Sequence, residues 1–600
     1  MKRLTLTVLL LAIASNVVAQ SVTPEVLKQA GTAADKQAGS WLSYGKTTSE
    51  TRYSPLKQID ASNVSRLGLA WTYTLGAGGS NQEGTPLVWN DMLFGITTWS
   101  VVYALDARTG KEIWRWDPEV NQTTVRSKIC CGTVNRGMAL YNDMLIAPAI
   151  DGRLIAHDAR TGKVIWEARV AYPQDNYTLT IAPRMAGNKV IIGAAGGDRP
   201  TRGFFDAYDA ATGRRAWRFY TVPGDPSLPY ENDAMRAAAK TWGGDFYKKG
   251  GGGAVWDGIA YDPESNLVYV GTGNAEPWVQ KFRGAKNVDN LYTCSILAVN
   301  ADTGQLKWHY QTVPNDNWDF DSVQQLMILD LTIKGRQRKV IMQAAKNGFF
   351  YVLDRNSGEF ITAAPFVKVN WATGFDERGR PMVSPEAYYD TEGLEIYPTG
   401  GGAHNWSPMS YNPNTGLVYI PASYTPFPYA ATAELAPGAT GYVRPTGTLR
   451  TIKDFIGPVA PEGVRGGLQA WDPVNQKLVW QGAGGGGIGG GSTTTGGNLV
   501  FHVVNDGTFK AYSADKGEKL FEVKVGRTGM APPITYEAGG KQYVAFMGGL
   551  GRAANIVGPN DEKVEGAPML YVFALDGKAE MPKAVAPPPA QGQPAAAPAK

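Results

Sequence analysis

Apolar positions along this chain fall in short runs broken by turn residues, with few helical heptads. One phrase recurs. Ala104–Trp114 (ALDARTGKEIW) reads Ala-x-Asp-x-x-Thr-Gly-x-x-x-Trp, and the same order returns at Ala156–Trp166, at Ala207–Trp217 and, with Asn300 in place of Asp, at Ala298–Trp308. Looser copies start at Tyr351, Ala470 and Ala511. Each copy predicts strand, turn, strand: the apolar residue before Asp ends one strand, Asp and Thr-Gly make the turn with Gly free to take positive φ, and the next strand delivers Trp at a fixed offset. A second phrase, YDPESNLVYVGTGN from Tyr261, is echoed by YNPNTGLVYIPAS from Tyr411. Gly110, Gly162 and Gly213 lie 52 and 51 residues apart, a length that suits one four-stranded blade. The expectation is an all-β fold, an eight-bladed β-propeller in which each Trp docks between neighbouring sheets and ligands bind on the central axis. The repeat speaks for the fold and does not identify a function.

Composition agrees: 72 glycines among 600 residues, with 17 Trp and 28 Tyr, against an ordinary glycine share of roughly 7%. The ends read differently from the middle. Lys2 and Arg3 precede an apolar run and small residues at 17–19, so residues 1–19 read as a signal peptide and the mature protein as periplasmic. Residues 20–40 form an N-terminal segment with a short helix, 41–577 the propeller, and 578–600 an Ala/Pro-rich flexible tail. Beyond the signal peptide no apolar stretch is long enough to span a membrane. The formal charge is +4, of which Lys2 and Arg3 supply two, and no basic run stands out; this argues against a nucleic-acid partner. The four histidines show no zinc spacing, and Cys294 reads as a buried free thiol in an apolar strand.

Three segments combine with the Trp repeat: SKICCGTVNRG with adjacent Cys130 and Cys131, the GTGN of GTGNAEPW, and VPNDNWDFDSV. With them the chain, over roughly residues 37–575, resembles the quinoprotein alcohol dehydrogenases of the methanol and ethanol dehydrogenase type, which use pyrroloquinoline quinone (PQQ) and a metal ion. The resemblance implies a disulfide between Cys130 and Cys131 lying over one face of PQQ. Adjacent Cα atoms are about 3.8 Å apart, below the usual disulfide range, so such a ring is strained; two reduced thiols are the alternative. Trp256, after the glycine run of GGGAVWDG, would be the floor of the PQQ sandwich. Glu83, Arg136, Thr180, Gly196, Gly197, Lys346, Asn405 and Trp406 match further cofactor contacts, with Lys346 reaching the quinone oxygens. Asp198, Asn274, Asp319 and Asp321 match the metal position, and Asp319 would be the general base that takes the alcohol proton while hydride passes to metal-bound PQQ.

The metal could be calcium or a lanthanide. Asp321 favours a lanthanide, because a trivalent ion gains more from an added carboxylate; if the NWDFDS segment is extended, Asp319 and Asp321 share a face. Two positions depart from the family pattern: Asp198 stands where Glu is usual, and Ala254 where Thr is frequent. The chain has three cysteines and no Cys-x-x-Cys-His, so no c-type haem is expected on it and electrons would pass to a soluble cytochrome c or another periplasmic acceptor. Residues 421–465 and 482–492 are placed at the entrance for a primary or secondary alcohol, and a homodimer is compatible with this reading. The competing reading is a non-catalytic propeller scaffold of the cell envelope.

Overall fold

The turn chemistry of the repeat is realised copy by copy. In the computed structural model, which describes residues 21–76, 81–129, 132–284, 288–484, 489–551 and 566–584, Asp106, Asp158 and Asp209 each accept hydrogen bonds from the N–H and hydroxyl of the Thr three residues on, and Asn300 does the same for Thr303. The glycine that follows has φ of +72° at Gly110, +74° at Gly162, +71° at Gly213 and +68° at Gly304.

The described residues form an all-β molecule with few, short helices. Each repeat contributes an up-and-down antiparallel meander. The first four are 87–116, 139–169, 184–220 and 259–311, each a sheet of four strands in sequence order. A fifth spans 327–365 and a sixth 410–483, the latter interrupted by an excursion whose short strands pair with Leu394–Ile396 as a separate sheet. The last two close on the N-terminal region. Tyr53–Ser54 pairs in parallel with Gly491–Thr495, and Leu67–Thr74 pairs antiparallel with Met569–Leu575. Strands far apart in the chain therefore share hydrogen-bonded sheets.

The tryptophans do what the repeat predicts. The Trp114 indole N–H donates to the Ala159 carbonyl at 3.0 Å, Trp166 to Ala210 at 3.1 Å, Trp217 to Ala301 at 3.0 Å, Trp308 to Arg355 at 3.1 Å and Trp480 to Ala514 at 3.1 Å. In every case the acceptor lies in the turn of the next copy. The ring also covers that turn's glycine: a Cβ on Gly162 would stand 2.7 Å from Trp114, and one on Gly213 2.5 Å from Trp166. Glycine is thus required twice, by its positive φ and by the indole against it.

The N-terminal segment is helical only at Pro24–Gln29, capped by Thr23. Beyond it the chain turns at Gly31, where Asp35 accepts two backbone N–H groups. The first residues of the tail lie against the sheets: Ala579 donates to the Leu69 carbonyl and Arg527 to that of Lys583. The signal-peptide assignment, the Cys130–Cys131 pair and the tail after residue 584 fall outside the described residues. Among the described residues no helix is long and apolar enough to cross a membrane.

Candidate functional site

The meander topology decides which loops meet. In an up-and-down sheet, the loop entering the first strand and the loop leaving the second lie at the same end. Glu83, Arg136, Thr180, Trp256, Asp319, Asp321, Asn405 and Trp406 occupy or adjoin loops that enter first strands, and Asp198, Asn274 and Lys346 follow second strands. The sequence-predicted residues therefore come from several sheets to one end, and they gather around two buried cations.

The first cation is Arg136. Its Nη2 lies 2.7 Å from Glu83, its Nη1 donates to the Thr180 hydroxyl at 3.1 Å and to the Trp256 carbonyl at 3.0 Å, and its Nε lies 3.7 Å from Asp257. The guanidinium is 5.0 Å from the Trp256 ring centre and 5.8 Å from that of Trp406. An arginine held by carboxylates between two aromatic faces can receive the carboxylates of a flat anionic ligand.

The second is Lys346, almost fully buried. Its ammonium donates to Asp319 Oδ2 at 3.0 Å, to the Asp319 carbonyl at 2.6 Å and to Asp321 Oδ2 at 2.6 Å. Burial alone would lower its proton affinity, but Asp319 and Asp321 outweigh it and the net shift is upward. Asp321 Oδ1 also accepts the Asn274 N–H at 2.8 Å. Asn405 is tied to the same corner: its amide donates to Gly401 at 2.6 Å, and Ala403 N–H donates to the Lys346 carbonyl.

Asp319 and Asp321 do converge, but the expected extended segment is not what brings them together. Asp319 has φ of +63°. The buried Asp316 carboxylate accepts the N–H groups of Trp318, Asp319 and Phe320, folding the segment into a tight turn. Burial pushes the Asp316 carboxyl up to about 6. For Asp319, burial raises the carboxyl well above the usual range, opposed by Lys346 and reinforced by Asp321 and Asp198.

Among the described residues no three His, Cys, Asp or Glu side chains form a ready-made cage. The donor set nevertheless suits a hard cation, since Asp198, Asn274, Asp319 and Asp321 offer only oxygen. Glycine lets the backbone lie close to these donors: a Cβ on Gly197 would come within 3.2 Å of Asn274 Oδ1 and 3.3 Å of Ala254 Cβ. Asp198 accepts the Trp278 indole N–H at 3.2 Å, and burial, then Asp321, raises its carboxyl.

Residues 41–381 and 460–544 match the family described as glucose/ethanol/alcohol dehydrogenase, beta-propeller domain, of the PQQ enzymes. The chain is 47% identical over 561 residues to the quinohemoprotein alcohol dehydrogenase ADH IIB of Pseudomonas putida, covering 92% of this chain and 79% of that one. The chain belongs to the PQQ-dependent alcohol dehydrogenases. The crystal structure of the quinohemoprotein alcohol dehydrogenase from Comamonas testosteroni superposes with a TM-score of 0.83 at 40% identity, covering 94% of this chain and 85% of that one. A europium-containing methanol dehydrogenase does so with a TM-score of 0.80 at 33% identity, over 90% of this chain and 99% of that one. A PQQ-dependent alcohol dehydrogenase is an enzyme that needs PQQ and a metal ion, so the scaffold reading gives way.

Several residues around this candidate site escaped the sequence reading. Trp278 and Asp316 sit inside the motifs GTGNAEPW and VPNDNWDFDSV, but nothing local marks them. Asp257, next to Trp256, backs Arg136; burial raises its carboxyl, against the pull of Arg136 and Arg184. Behind them Arg184 is paired at 2.7 Å with the buried Glu50. Glu276 is also buried, and burial followed by Asp198 holds its carboxyl well above the usual range.

Proposed function

We propose that this enzyme oxidises a primary or secondary alcohol in the periplasm, as an eight-bladed propeller with Asp319 as the base. The observation that carries the reading is the buried meeting of Asp319 and Asp321 on Lys346, beside Asn274. Bound PQQ supplies a two-electron acceptor and its ion a positive charge beside it. Asp198, Asn274, Asp319 and Asp321 would hold the ion. Arg136, steadied by Glu83 and Asp257, would receive the carboxylates of PQQ, while Thr180, Gly196, Gly197, Asn405 and Trp406 border it and Trp256 forms one face; Cys130–Cys131 is assigned the other.

Asp319 takes the hydroxyl proton of the alcohol. Lys346 holds Asp319 in place through both its backbone and its side chain, and its fixed positive charge is available to developing negative charge. Asp321 supports the choice of a lanthanide, as does the likeness to a europium-containing methanol dehydrogenase; calcium is the alternative ion. Electrons would pass from the reduced quinone to a cytochrome c.

Asp319→Asn keeps the shape of the side chain and removes the base. It should retain PQQ and lose turnover by roughly 10²–10⁴-fold, read by dye-coupled alcohol oxidation alongside the quinone absorbance. Full turnover with bound quinone would refute the assignment.

A further inference from the structure

We infer that Glu276 is a fourth carboxylate of the ion site and biases it toward a trivalent cation. The inference rests on the reading that an ion binds beside Asp319. Glu276 is 2% exposed, and its Oε2 has no hydrogen-bond partner among the described residues. Buried acidic side chains are almost always paired, so the partner must come from elsewhere.

The cation acting on it among the described residues is Arg283, and that guanidinium is fully used. Its Nε donates to Asn290, its Nη1 to the carbonyls of Pro277 and Trp278, and its Nη2 to Asn315 and the Asp316 carbonyl. These five bonds exhaust the five N–H donors of an arginine. Lys346 is taken by Asp319 and Asp321. Asp198, a half-buried carboxylate, also acts on Glu276, and one of its oxygens accepts the indole N–H of Trp278, two residues after Glu276.

The backbone places Glu276 next to the site. Glu276 lies two residues after Asn274 on a strip bonded to the glycine run: Gly253 N–H donates to the Asn274 carbonyl, and Glu276 N–H to that of Gly251. With an ion bound, Asp198, Glu276, Asp319 and Asp321 would together offer it four carboxylates against the single positive charge of Lys346. Adding one carboxylate to such a set favours a trivalent over a divalent ion, since the attraction scales with ionic charge.

The test is calorimetric titration of terbium(III), and in parallel calcium, into the PQQ-loaded enzyme. Glu276→Gln should weaken terbium binding by roughly 10–100-fold and calcium binding by less. Asp198→Glu added to that variant should restore part of the loss by extending the neighbouring carboxylate. Unchanged terbium affinity in Glu276→Gln, or an equal loss for both ions, overturns the inference. Asp319→Asn separates it from the reading beneath it. If that variant binds terbium as wild type does, the ion lies elsewhere and both fall; if it loses terbium while Glu276→Gln does not, only the inference fails. Should the Gln variant not fold, Glu276→Asp keeps the charge and shortens its reach, and unchanged terbium affinity there overturns the inference equally.

Discussion

Replacing Gly213 by Ala adds one methyl group at the contact that repeats around the molecule. Gly213 has φ of +71°, and an added Cβ would stand 2.5 Å from Cε3 of Trp166. Two costs follow. A left-handed backbone costs an L-residue roughly 1–2 kcal/mol, and forcing a methyl into a filled contact costs about 1–3 kcal/mol. The expected total is roughly 2–5 kcal/mol, part of it through displacement of the Ala210 carbonyl that Trp166 bonds. Gly416 provides the internal control: its φ is +70°, yet a Cβ there meets nothing within 4 Å. Gly416→Ala should therefore cost only the backbone share, about 1–2 kcal/mol. Both variants are compared with wild type by urea unfolding followed through tryptophan fluorescence. If they unfold at the same midpoint, the indole does not press on the turn and the account of how adjacent sheets lock is wrong.

Two further outcomes follow from buried charge. His502 is fully buried, with Nδ1 2.9 Å from the Gly491 carbonyl, and burial lowers its pKa from 6.5 to about 4. The unfolded chain binds the proton more readily, so wild type should lose about 3 kcal/mol as pH falls from 6.5 to 4, a loss that His502→Gln should not show when melting is followed against pH. Glu50→Ala strands the buried Arg184, and removing one partner of such a pair costs roughly 3–5 kcal/mol; a melting temperature equal to wild type would show the pair to be dispensable.

The sheets were legible because their turns repeat. Asp, Thr and Gly act on neighbours within four residues, so the meander and its Trp contact could be read from one copy and counted along the chain. The acidic pair was legible as a motif, though not as a geometry. Alternation assigns Asp319 and Asp321 to one face of a strand, whereas three N–H groups converge on Asp316 and wind the segment into a turn. Arg136, Glu83, Thr180 and Lys346 came through the resemblance as separate cofactor contacts; that Arg136 holds Glu83 and Thr180, and Lys346 both aspartates, is seen only in the fold. Glu276 and the Arg184–Glu50 pair were invisible because their meaning lies in which distant groups surround them: Glu50 and Arg184 are 134 positions apart. The family pattern made Asp198 look too short; only the packed structure shows a second carboxylate nearby.

The most direct measurement is a crystal structure of the enzyme loaded with PQQ and a lanthanide, with the ion located by its anomalous signal. The account predicts one peak in contact with Asn274, Asp319 and Asp321, and a quinone ring lying on Trp256. A peak away from these residues, or a quinone bound away from Trp256, would contradict it.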